Sequence, residues 1–470
     1  MAAALGSLGK DPLGPPGKEP FIPYRPLLLI ITSWAAIMPL ICHLASQRDD
    51  YVTTGDVALQ GRLSIGLFPR LGTFSGIARL LERGTEYLDF ASTKGGSSRT
   101  VWDVQWGSVF PCANGAAINA ISKYLLSRNG EPPTCMPEKP SRQKEDSEKE
   151  DSEKEDSEKS PTKDGPSSNP AHISRSNPKD KDSIRRFQTL HVYELSRGEE
   201  RTSLGRRTRQ LLHFWPVQYA SWVLLMGLAV FFFLFGCYET FAIVISSTVS
   251  KVVAHNVQIH RSSIYLKNNE RHHAWMLVAA HENATEWHLY FGDRGVVDSL
   301  LNKQMFIVPT GRRIKLFAHW FWVAHLIQLA AMTFVAAQRG WDGICSLALL
   351  VTQVAFDESH GRQHESLAKD WLEAEGIDAN VKSFKFSGRF GLIGAVQLFS
   401  RSLVTRWMDT ILVPHPRREV WLGQLRGDEL PKDLPAADAS RVQFSSDAAF
   451  AGAEVLFEQF TVVSRPSTSA

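Results

Sequence analysis

Apolar positions in this chain fall into long blocks separated by polar stretches. The longest block, Pro216 to Val249, carries no Lys or Arg and a single acidic residue, Glu239. A helix of about 20 apolar residues already crosses a bilayer, so the block predicts a membrane-embedded protein. At about 1.5 Å per residue it is longer than one untilted crossing needs. Two readings follow: one span with an amphipathic extension through Ser246, Ser247 and Ser250, or a break between Gly236 and Thr240. A break would add a crossing and reverse the side of everything after it. We favour one span plus an extension.

Three further blocks complete the pattern. Leu27 to Ala45 is longer than the apolar core of a signal peptide and reads as an uncleaved anchor. Leu316 to Ala337 begins with Phe317, Trp320, Phe321 and Trp322, the aromatic cluster expected at a membrane interface. Trp341 to Phe356 is marginal in length and follows the Gln338-Arg339-Gly340 link, which predicts a helical hairpin. The expected fold is therefore a mainly α membrane protein with about four transmembrane helices, at 27–45, 216–249, 316–337 and 341–356.

Between these blocks the pattern changes. A polar tail covers 1–26, and a Gly-rich segment covers 46–130. Within the latter, Leu71, Phe74, Ile77, Leu80 and Leu81 recur at helical spacing, and Trp102, Val104 and Trp106 alternate as in a strand. Residues 131–184 form a charged linker in which Glu-Asp-Ser-Glu-Lys occurs three times, a composition that cannot bury enough apolar surface to order itself. Ser147 and Ser152 each precede a Glu by three residues, the spacing an acid-directed kinase reads. An Arg-rich lead-in follows at 185–215, where Arg206, Arg207 and Arg209 are candidates for anionic lipid headgroups.

The 250–315 loop reads as a small αβ unit. Trp275–Ala280 and Trp287–Phe291 are strand-like runs around a polar turn, a β-hairpin signature, and Gly292-Asp293-Arg294-Gly295 opens a short helix. In the C-terminal helical region, 357–426, Leu367 and Trp371 sit on a helix that Gly376 can end. Leu392, Val396, Phe399, Leu403, Trp407 and Ile411 then form one stripe over 389–411. That stripe fits either a helix lying in the membrane interface or one packed on the loop domain. The remainder, 427–470, reads as a mostly flexible tail.

Sidedness rests on charge. With four spans both termini share a side, and that side carries ten Lys and Arg near the spans against six on the other, which favours cytosolic termini. Asn283-Ala284-Thr285 in the 250–315 loop is a glycosylation sequon, and its use would place that loop outside.

Composition narrows the function classes. A net charge of +3 with no dense basic patch gives no case for nucleic acid. The five cysteines have no zinc-type spacing. Only Cys112 and Cys135 lie where a disulfide would form. The Gly95-Gly96-Ser97-Ser98 run lacks the Lys of a phosphate loop, and no hydrolase, dinucleotide or kinase signature occurs. No catalytic residue and no cofactor are assigned.

Two constellations carry candidate chemistry. Glu239, His325 and Gln328 are polar groups inside apolar spans, and such groups often mark ion or proton paths. His325 and Gln328 share a helix face, so Glu239 opposite them would make a carboxylate–imidazole relay. The second is histidine density: His255, His260, His272, His273, His281 and His288 fall within one loop, with His281 and His288 the weak candidates for a metal.

The runs Lys267-Asn268-Asn269-Glu270, Gly292-Asp293-Arg294-Gly295-Val296-Val297-Asp298 and Leu300-Leu301-Asn302-Lys303 carry a resemblance, together with Ala336-Ala337-Gln338 and Gly340-Trp341-Asp342-Gly343. Over roughly 217–425 the chain resembles a group of uncharacterised multi-pass membrane proteins of filamentous fungi. The resemblance implies a membrane location and no activity, ligand or catalytic residue. The expected function is a non-enzymatic binding or scaffolding role at a lipid bilayer, with an unassigned protein partner. The alternatives are a proton-coupled transporter or channel component using Glu239 and His325, and a metal-using membrane enzyme at the 255–288 loop.

Overall fold

The computed structural model describes residues 50–137, 186–198, 222–267, 272–337 and 341–460, apart from short gaps at 64, 67–68, 70–71 and 94–97, plus a few residues between 34 and 41. Its centre is a seven-stranded mixed sheet. In chain order the strands are β1 (Thr100–Asp103), β2 (Val109–Pro111), β3 (Thr134–Cys135), β4 (Gln188–Arg197), β5 (Ala274–Ala279), β6 (Glu286–Gly292) and β7 (Ile377–Phe386). Across the sheet they run β2-β1-β5-β6-β4-β7-β3. β4 pairs in parallel with β6 and antiparallel with β7.

Alternation along the strands builds two cores, because successive side chains leave a strand on opposite faces. Val101, Tyr193, Leu195, Met276, Val278, Tyr290 and Val381 point to one face. Trp102, Leu190, Val192, Leu277, Trp287, Leu289 and Phe384 point to the other. The first face is covered by α1 (Asp50–Gln60), α2 (Thr73–Arg83), α3 (Thr85–Thr93), α4 (Gly115–Asn129), α7 (Arg294–Leu301), part of α8 (Arg312–Ala337) and the end of α9 (Trp341–Glu375). The second is covered by α10 (Arg389–Ser400), α11 (Pro416–Arg426) and α12 (Ala436–Gln459). A sheet buried on both faces is an α/β sandwich. The expected four-span, mainly α architecture is therefore corrected. Among the described residues one helix, Arg312–Ala336, is long and apolar enough to cross a membrane, and two shorter apolar helices occur at Trp222–Leu234 and Trp341–Thr352.

The block Pro216–Val249 is broken. Trp222–Leu234 forms α5 and Tyr238–His255 forms α6. Gly236 between them takes φ +76, a left-handed turn that a residue without Cβ adopts freely. The two helices fold back on each other, since Trp222 at the start of α5 meets His255 at the end of α6 with ring centroids 6.0 Å apart. Asp342 of α9 stabilises the elbow by accepting the α6 N-terminal amides of Glu239 (3.2 Å) and Thr240 (2.9 Å), satisfying donors that no helical carbonyl reaches. The single-span reading fails on this pairing.

Strand pairing also settles which segments share a side. β1 pairs with β5, and β4 pairs with β6. Residues 100–111 and 188–197 thus belong to the same sheet as 274–292, and no membrane can pass between them. The one-span reading had put them on opposite sides. Every apolar excursion that leaves this sheet and returns to it does so on one side, and the charge count that favoured cytosolic termini loses its basis. Cys112 follows edge strand β2 and Cys135 lies in the opposite edge strand β3, six strand spacings away at about 4.8 Å each. They cannot pair.

At the C-terminus the interface reading of 389–411 is corrected as well. α10 stops at Ser400, and Arg401 adopts φ +52. Leu392, Val396, Phe399 and Trp407 are fully buried in the second core, and only Leu403 stands out, 88% exposed. The tail is no tail: its Ala436–Gln459 stretch forms the 24-residue α12, which packs on α10. Small residues allow that contact, for a Cβ on Gly394 would sit 2.5 Å from the Cβ of Ala449.

Candidate functional site

A polar cluster lies on the first face of the sheet, and strand register creates it. His191 of β4 stands opposite His288 of β6 on one side and Ser383 of β7 on the other. Three polar side chains thus form one row across three central strands. His191 Nδ1 is 2.8 Å from Ser383 Oγ, and His191 Nε2 is 3.2 Å from Glu286 Oε1. The same carboxylate oxygen is 3.8 Å from His288 Nε2. The two imidazoles stack with centroids 5.2 Å apart. One row further along, Tyr193 and Tyr290 stack at 4.6 Å; the Tyr193 hydroxyl is 3.2 Å from His288 Nδ1, and the Tyr290 hydroxyl is 2.6 Å from Ser122 Oγ of α4.

Burial sets the electrostatics. It pushes the His288 imidazole down to about 4, with His191 adding to the effect. The hydrogen bond from His191 holds the Glu286 carboxyl below its ordinary value. Burial raises both phenols, Tyr193 and Tyr290. His288 is therefore neutral near pH 7, beside an ionised Glu286 whose side chain is 60% exposed.

The Ser383–His191–Glu286 order resembles a hydrolytic relay in composition only. A serine nucleophile needs its base aligned, its Oγ accessible and donors placed for the developing oxyanion. Here Ser383 is 8% exposed in a strand paired with β4 along its length. What the cluster does is satisfy polar groups at one end of a buried sheet face, which is required when such groups leave water.

The sequence-derived candidates are dispersed. His288 belongs to the cluster, whereas His281 lies in the β5–β6 turn, where its Nδ1 accepts the amide of Asn283 at 3.1 Å. His255 meets Trp222, and His272 meets Arg294 and Trp106. Among the described residues no group of three or more His, Cys, Asp or Glu side chains is arranged to hold a metal ion. The sequon Asn283 is exposed, and its Oδ1 accepts from Arg389 at 3.0 Å. Ser147, Ser152, Arg206, Arg207 and Arg209 lie outside the described residues.

Of the three intramembrane candidates, Glu239 sits at the α5–α6 elbow beside Asp342. Thr240 bonds the same carboxylate, and Cys237 Sγ is 3.8 Å from Cys345 Sγ. Gln328 instead donates to the Pro69 carbonyl at 2.8 Å, tying α8 to the segment before α2. His325 lies over Trp322 of its own helix. The contacts found for Glu239 are to α9 rather than to the His325–Gln328 face. Sequence reasoning missed His191, Tyr193 and Ser383 altogether; the period-two alternation of Leu190, Val192 and Tyr193, Leu195 was the available signal.

The second feature is apolar. Around α5, Leu234 is 76% exposed, Val223 72% and Phe235 67%, and Leu326 and Phe334 of α8 and Val351 of α9 are also exposed. The inner side of α5 joins α6 in a small core of Leu225, Ala229, Phe232, Cys237 and Val244, against which Trp341, Cys345 and Leu349 of α9 pack. Searches of protein-family models, of curated proteins and of solved structures each found no match to the chain.

Proposed function

We propose that this is a membrane-anchored binding or scaffolding protein, with its α/β sandwich held at one face of a bilayer by the apolar helices α5, α6, α8 and the start of α9. The exposed apolar surface of α5 carries this reading. Soluble monomers rarely leave contiguous apolar patches beyond a few hundred Å² in water, and a lipid chain environment removes that cost. Connectivity supports the same arrangement. α5 and α6 leave the sheet after β4 and return to it at β5, and α8 and α9 leave after β6 and return at β7. The elbow of the first pair is tied to the start of α9 through Asp342.

Alkaline carbonate extraction of membranes from cells expressing the full chain tests the proposal. The protein is expected to stay with the membrane pellet and to float with lipid in a density gradient. Release into the carbonate supernatant would overturn it.

A further inference from the structure

The base of the apolar lobe carries exposed positive charge at a definite depth. α2 and α8 run antiparallel: Phe74 stacks near Phe321 with ring centroids 6.1 Å apart, and Pro69 accepts from Gln328 further along. The C-terminal end of α2 therefore lies at the N-terminal end of α8, where a Cβ on Gly84 would sit 3.9 Å from Val308. Arg83, Arg312, Arg313 and Lys315 are all exposed at this end. Glu82 and Glu86 are exposed on the adjoining turn and leave the end net positive.

Aromatic side chains stand between this charge and the apolar surface. Trp320 donates to Ser250 of α6 at 3.1 Å, and Trp222 meets His255. Trp320 is thus level with the last turns of α6, at the start of the lobe. At about 1.5 Å per residue, Lys315 lies roughly 8 Å and Arg312 roughly 12 Å beyond Trp320. From Trp320 to the end of α8 at Ala337 is roughly 26 Å, close to the hydrocarbon thickness of a bilayer. Indole rings favour the interface, and Lys and Arg extend toward the headgroups.

We propose that Arg312, Arg313 and Lys315, with Arg83 beside them, form a headgroup-level site for anionic phospholipids, so that the sandwich faces an anionic leaflet. This rests on the membrane-anchoring reading and names its lipid partner. Each basic residue near an anionic surface is worth about fivefold in association, the equivalent of ~1 kcal/mol.

The full-length protein, purified in detergent and placed in nanodiscs, tests the site by energy transfer from its tryptophans to dansyl-labelled lipid. Phosphatidylserine is expected to outcompete phosphatidylcholine around the protein, and the preference to weaken at high salt. The Arg312→Gln/Arg313→Gln/Lys315→Gln variant should lose the preference, while Arg426→Gln/Lys432→Gln, in the opposite layer, should keep it. Equal association of both lipids with the unaltered protein, or a preference untouched by the triple variant, would overturn the site. Displacement of labelled phosphatidylserine by inorganic phosphate alone would also overturn it, by assigning the charges to free phosphate. Failure to enter nanodiscs at all would instead strike the anchoring reading.

Discussion

α5 and α10 are both apolar helices whose sequences admit contact with a membrane. They end in opposite environments. α10 buries Leu392, Val396 and Phe399 completely, because α12 lies over it and Gly391, Gly394 and Gly452 let the two backbones approach. α5 leaves Leu234, Val223 and Phe235 uncovered, and only one side of it meets α6 and α9. An apolar stripe shows that a helix needs a cover. What supplies the cover depends on whether another segment of the chain has small residues in the right register. α12 has them, with Ala448, Ala449 and Gly452 along one side; no described element does this for the outer side of α5.

The largest test of that contrast is Phe399→Ala. Phe399 packs against Trp275, Phe291, Phe457 and Phe460, and removing it should cost about 3–5 kcal/mol of stability. Denaturant titration in constant detergent measures this, and a loss below about 1 kcal/mol would contradict the buried placement of α10.

A second test concerns the sheet that the two helices flank on different terms. Burial holds His288 down to about 4, so between pH 6.5 and 4 the unfolded chain binds a proton that the folded chain refuses. Stability should therefore rise with pH across that window, by about 3 kcal/mol for this group. Glu286, lowered in the fold, acts in the same direction: its contribution is present above its unfolded value near 4.5 and is lost as pH falls through the folded one. Melting temperature measured against pH should show the slope, and His288→Phe should flatten it above pH 5.

The smallest stability effect belongs to α5. Leu234→Ser with Phe235→Ser removes side chains that are mostly uncovered, Phe235 touching Phe231 alone among the described ring contacts, so the detergent-solubilised fold should lose less than about 1 kcal/mol. Carbonate-resistant membrane retention should nevertheless fall. A large loss of stability would mean that these side chains are buried by protein after all.

Parts of this arrangement were legible in the chain. The spacing of Phe74, Ile77, Leu80 and Leu81 marks α2, and the β5–β6 hairpin follows from two apolar runs around a polar turn. Asp293 caps α7 by accepting from Val296, as its Gly-Asp-Arg-Gly opening suggests. β4 was hidden because it stands alone between a charged repeat and an arginine-rich stretch, with no local partner to form a hairpin. α12 was hidden because its packing side is made of Ala and Gly, which carry little hydropathy. The polar row of His191, His288 and Ser383 could not be read at all. It arises from the register of His191 with residues 97 and 192 positions further along the chain, and register leaves no local mark.

The placement of β4 has a consequence for how the chain is made. β4 is a central strand, yet its neighbours β6 and β7 begin about 90 and 180 residues after it. At roughly 5–20 residues per second of synthesis, β7 arrives some ten to forty seconds after β4 has left the ribosome. During that interval β4 offers open hydrogen-bonding edges, and the greasy α5–α6 pair emerges before the sheet that must anchor it. Nascent chains caught in that interval are the ones that chaperones must hold apart.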